Sequence, residues 1–236
     1  MTVKSRIVTL GAFLSMFGGA GVVLACGSDN LFEPLAKKDD KDKGKNALQD
    51  GNYDTAILSL EEHLAKNLDD VEARAMLANA YMGKAGIDQI KLAAKIAAAG
   101  GGDWSSIVNA MPEGNAGNVE SLSKAVDTLS AIPAGERTPE QSYQLAMAQA
   151  SLAVTLTKKT AGDGTSVSDA KVATMSDADA GLAYATIAGS KQTVNGDATL
   201  AANAGAQKLA ALSGKIDAEP GATDAEKMRS FLAKNN

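Results

Sequence analysis

Cysteine and histidine each occur once in the 236 residues, as Cys26 and His63. Their scarcity excludes a disulfide framework and any metal site built from several His or Cys ligands. Aromatic residues make up 4% of the chain, with a single Trp, which offers little of the stacking platform a sugar-binding enzyme needs. Basic charge is also in deficit, with 23 Lys and Arg against 28 Asp and Glu and a net charge of −5. Beyond residue 25 the balance is 21 against 28, a net charge of −7. No basic stripe is available to neutralise phosphates, so nucleic acid is not an expected partner. Runs alternating apolar with polar residues and rich in Val, Ile, Thr and aromatics are missing after residue 38, and the expected fold class is therefore all-α. What is present in quantity, 45% hydrophobic and 22% charged residues, is a globular composition.

The N-terminus has a short basic start, Met1 to Arg6, and an apolar, glycine-containing stretch from Ile7 to Leu24. This is the pattern of a secretory signal. The stretch ends at Val23-Leu24-Ala25-Cys26-Gly27, where a small residue precedes the only cysteine. It resembles the lipobox of bacterial lipoproteins. The resemblance implies cleavage before Cys26, acylation of that residue and a lipid anchor, since two or more acyl chains suffice for stable membrane attachment. Gly27 rather than Asp after the cysteine implies, by the same likeness, the periplasmic face of the outer membrane. An uncleaved anchor with an incidental cysteine is the alternative, because 18 apolar residues are long enough to span a bilayer. Residues 27–45 are polar, mixed in charge and interrupted by Pro34, and read as a tether at least through Lys38.

Helical periodicity follows. Ile57, Leu60 and Leu64 recur on one face between Asp54 and Lys66; Ala73, Leu77, Ala80 and Tyr81 do so between Val71 and Lys84. The short link Asn67–Asp70 makes these two antiparallel neighbours. A third helix is expected from about Asp88 to Ala99, stopped by Gly100-Gly101-Gly102. Val119, Leu122, Val126, Leu129 and Ile132 predict a helix opened by Asn118 and closed by Pro133. Thr138-Pro139-Glu140-Gln141 is a capping box with Pro at the first helical position, and predicts a long buried helix to about Thr160. Residues 162–175 read as a loop, followed by helices starting at Ser176, near Gly196 and at Thr223. The division expected is signal 1–25, tether 26–38, a repeat-like region 39–102 and an Ala-rich helical region 103–236.

The run Leu48 to Ile57 and the placement of Gly44, Gly51, Tyr53, Ala56 and Leu60 over residues 37–70 resemble the tetratricopeptide repeat, a helix-turn-helix unit of 34 residues. A partial second copy from Val71 keeps Leu77, Ala78 and Tyr81, with Gly86 one residue late; Asp40, His63 and Leu68 depart from the pattern. The resemblance covers residues 37–99. It implies stacked antiparallel helix pairs that dock an envelope protein or peptide segment, through Asn79, Met82 and Lys84 on residues 71–84.

Other sequence signals carry no chemistry. His63 sits beside Leu60 and Leu64 and reads as structural; Asp39, Asp40 and Asp42 before Gly44 fail the register of a calcium loop. The triple glycine lacks a following Gly-Lys-Ser/Thr, and Ser121-x-x-Lys124 and Ser28-Asp29-Asn30 stand in the wrong order for a penicillin-recognising enzyme. Trp104 reads as a partly buried residue in a short helix before Pro112, or as a cap over a groove. The expectation is a non-catalytic, lipid-anchored interaction scaffold or assembly factor with no cofactor and no metal. The alternative is a helical periplasmic lipoprotein that binds a small ligand for a transporter, in an apolar pocket near Trp104 and the Tyr143 helix.

Overall fold

The computed structural model describes residues 39–98, 104–162 and 166–235. Cys26, the apolar stretch 7–24, the tether through Lys38 and the glycines 100–102 lie outside them. Among the described residues the protein is all-α, twelve helices and no strand. Its one β feature there is an isolated bridge between Gly162 and Val167. No helix of the described residues is long and apolar enough to cross a membrane.

The first helix, α1 (Asp40–Gln49), is built from the charged sequence that reads as the end of a tether. It folds because the charges find partners across the hairpin. Lys41 Nζ reaches Asp70 and Glu72 at 2.8 Å each, and Asp40 accepts from Lys66 at 2.7 Å. Its small residues Gly44 and Ala47 turn inward. Gly44 admits the Leu60 side chain so closely that a Cβ there would stand 2.9 Å from Leu60 Cδ2. Gly51, at φ +71°, supplies the left-handed turn into α2 (Tyr53–Leu64), whose N-cap Asn52 accepts from Thr55 N–H. Then α3 (Val71–Lys84) starts on the Asp70 cap.

After α3 come α4 (Gln89–Ala98), α5 (Trp104–Ala110), α6 (Ala116–Ser130), α7 (Pro139–Ala161) and a single turn, α8 (Asp169–Val172). The chain finishes with α9 (Asp177–Asn195), a turn α10 (Ala198–Ala201), α11 (Ala204–Asp217) and α12 (Asp224–Asn235). The capping box at Thr138 and Gln141 forms in both directions, Ser176 caps α9, and Thr223 and Glu226 cap each other's backbone. Three details differ from the sequence reading. Asn115, not Asn118, caps α6 and accepts the Asn118 N–H at 2.8 Å; either Asn could cap locally, and packing selects the earlier one. Residues 162–175 contain the α8 turn, held by buried Val172. The helix expected near Gly196 is two, because Asn203 caps α11 and breaks the Ala-rich run.

Packing makes two rows. Lys41 to Asp70 joins the starts of α1 and α3, Gln144 near the start of α7 donates to α3, and Tyr143 meets Gly205 at the start of α11. Thus α1, α3, α7 and α11 lie side by side and point the same way. Against them, α2 packs on α1 and α3, α6 on α3 and α7, α9 on α7 and α11, and α12 on α9 and α11. The segments 39–102 and 103–236 therefore share one buried core.

Candidate binding face

The first row owes its polar interior to α7. Most of this helix is apolar, yet Gln144, Ser151, Thr155 and Lys158 are all buried. Their spacing of i, i+7, i+11 and i+14 brings them onto one face. At one end of that face Gln144 Nε2 donates to the Ala75 carbonyl at 3.1 Å and to Asn79 Oδ1 at 2.7 Å on α3. At the other, Lys158 Nζ donates to the carbonyls of Val108 (3.3 Å) and Met111 (3.0 Å), at the C-terminal end of α5. Between these anchors the hydroxyls of Ser151 and Thr155 have no hydrogen-bond partner among the described residues, and neither has the Trp104 indole N–H. Leaving such a group buried without a partner costs about 1–3 kcal/mol.

The end of α5 meets this face at Lys158. The pair α4–α5 comes in the chain between α3 and α6, two helices that pack directly on each other, and it sets α5 on α7 and α4 on α11. Gln89 at the start of α4 hydrogen-bonds Asn79 on α3. Trp104, 2% exposed, sets its ring edge-on against Phe231 of α12, centroids 5.4 Å apart at 84°. The tryptophan is thus a core residue of a short helix and does not cap an open groove.

These contacts change the status of the residues that the repeat resemblance selects. Met82 is 0% exposed and touches Gln89, so it presents no surface to a partner. Asn79 Oδ1 is already shared by Gln89 and Gln144. Lys84 is about half exposed and pairs with Asp54 at 2.7 Å. The three do not line a common open groove: Met82 is buried, Asn79 is held by Gln89 and Gln144, and Lys84 pairs with Asp54. The α7 row escaped the sequence reading, although polar residues at heptad-like spacing inside an otherwise apolar helix are its visible signal.

A second polar cluster stands where α2 turns into α3. His63, 6% exposed, donates from Nε2 to Asp70 Oδ2 at 3.0 Å and has its Nδ1 3.6 Å from Asp39. Residues Lys66 to Asp70 border an open hollow of about 540 Å³ beside it. Burial raises the Asp70 carboxyl, but Lys41, the Ala73 N–H and His63 together bring it from the ordinary 3.8 down to about 2. A depressed carboxylate stabilises the fold above its unfolded value and loses that contribution as pH falls through the folded value. Asp70→Asn is accordingly expected to cost about 1–2 kcal/mol at pH 7. Urea melts at successive pH values should show a shallower loss of stability between 3.8 and about 2 in the variant than in the wild type.

The architecture defined by these contacts is a two-row stack of helical hairpins. No protein-family model, curated protein or solved structure matches the chain.

Proposed function

We propose that the protein is an acylated lipoprotein of the bacterial cell envelope, held through Cys26 at the periplasmic face of the outer membrane. It works there as a non-catalytic scaffold or assembly factor that docks an envelope protein or a peptide segment of one. The observation that carries this reading is a stack of helical hairpins whose first helix begins at Asp40, close behind the polar tether and the lipobox-like cysteine. Parallel neighbours such as α1, α3, α7 and α11 present long continuous faces, which suit the gripping of a chain segment. The residues of the tetratricopeptide resemblance support it too. Gly44 lies under Leu60, Gly51 makes the turn, and Ala56 and Leu60 are fully buried between helices. The partner-contacting role moves from Asn79, whose side chain is held by Gln89 and Gln144, and from the buried Met82 to the inner face as a whole.

The experiment is a cross-linked pull-down from detergent-solubilised envelope with the anchored, full-length protein as bait. A stoichiometric envelope partner recovered with the bait is the expected result. Recovery of a transporter subunit only in the presence of a small co-purifying ligand would favour the carrier alternative, and a turnover that follows the protein would overturn the scaffold reading.

A further inference from the structure

We propose that α1 is an ion-held strap at the free end of the stack, one that detaches and unfolds by itself and so adjusts the length of chain between the fold and its N-terminal anchor. The length-setting role rests on the anchored reading above; the detachment rests on the fold alone. Position is the first argument. α1 packs on α2 and α3, and the contacts of α2 with α3, α3 with α6, α6 with α7 and α7 with α9 do not pass through it. Capping is the second. Asp39 stands at the N-cap of α1 without a side-chain bond to its backbone, whereas α2, α3, α6, α7, α9 and α11 are each capped by a side chain. The Asp39 carboxylate faces His63 instead, 3.6 Å from Nδ1.

The kind of force that holds the helix is the third argument. Five of the ten residues of α1 are charged, and only Gly44 and Ala47 are buried, so its own side chains contribute little apolar area. Leu60, fully buried and seated against Gly44, is uncovered when α1 leaves. The rest of the hold is ionic and confined to the first turn, where Lys41 pairs with Asp70 and Glu72, and Asp40 with Lys66. A helix of ten residues falls short of the roughly 12–15 at which helices become marginal alone in water, so α1 unfolds as it detaches. Its length of about 15 Å as a helix becomes up to about 35 Å of extended chain. Salt screens such pairs, the Debye length falling from about 30 Å at 0.01 M to about 3 Å at 1 M, and the strap is therefore released as ionic strength rises.

The test is native-state hydrogen exchange on the full chain in detergent, with α7 in the same sample as internal reference. In the wild type the amides of 43–49 should exchange at least about ten-fold faster than those of α7, through an opening that leaves the other helices protected. Raising NaCl from about 0.01 M to about 1 M should speed them at least about three-fold relative to α7. Lys41→Met keeps the stem and removes both pairs of the ammonium; at low salt its α1 should exchange at least about five-fold faster than that of the wild type, and most of the salt response should be gone. Lys45→Met removes the same charge from the exposed side of α1 and should leave its exchange within about two-fold of the wild type. If circular dichroism shows that Lys41→Met does not fold, Glu72→Gln, which removes one of the two pairs and leaves the Asp70 cap, takes its place. Exchange of α1 only together with α7, a salt response equal in the two helices, or equal exchange of the Lys41 and Lys45 variants would overturn the proposal. These readouts need neither acylation nor an envelope partner, so their failure and that of the scaffold reading are separable.

Discussion

Phe231→Ala should lower the unfolding free energy by about 3–5 kcal/mol, the usual range for emptying a fully buried aromatic site. Phe231 is among the largest fully buried side chains, and its ring takes the edge of Trp104 across the boundary between α12 and α5. The loss therefore combines apolar burial with an oriented aromatic pair, itself worth about 0.5–1.5 kcal/mol. A domain of this size is stabilised by about 5–15 kcal/mol in all, so the variant should melt many degrees lower. Because Trp104 is the only tryptophan, its emission reports the site directly. It should shift to the red in the folded variant, and an unchanged emission with unchanged stability would mean that the two rings do not pack.

Gly83→Val should cost about 2–4 kcal/mol, by overpacking and by the β-branched side chain it forces into a helix. Gly83 is on α3 where the Tyr53 ring of α2 crosses it, and a Cβ built there would come within 2.7 Å of Tyr53 Cδ1 and nearer still to Cε1 and Cζ. Relief requires Tyr53 to swing out of its place between the helices. The double variant Gly83→Val with Tyr53→Ala should then recover part of the loss, giving a coupling term in a double-mutant cycle fitted to urea melts. Strict additivity would show that the two residues do not meet.

What could be read from the sequence was what local chemistry decides. The bounds of α3, the capping box that starts α7 and the starts at Ser176 and Thr223 rest on side chains bonding to backbone a few residues away, and they stand where the sequence puts them. Misplaced features depend on distant partners. α1 has the composition of a tether, and its charges become structural only because Asp70, Glu72 and Lys66 return to them across the hairpin. Asn79 and Met82 look like groove residues on an isolated helix, but Met82 is buried and the Asn79 side chain is held by Gln89 and Gln144. No periodicity within residues 71–84 encodes those contacts. The α7 row was legible in its spacing, whereas its anchors at Ala75, Asn79, Val108 and Met111 were not, since they come from up to 69 residues away.

The central claim, an anchored scaffold, depends most on Cys26, the single cysteine. Its most direct measurement is growth with labelled fatty acid, comparing wild type with Cys26→Ser after fractionation of the envelope. The account predicts label in the wild-type protein, and in Cys26→Ser the loss of both label and membrane retention, with the helical spectrum unchanged. A Cys26→Ser protein that stays in the membrane through an uncleaved segment 7–24 would contradict it.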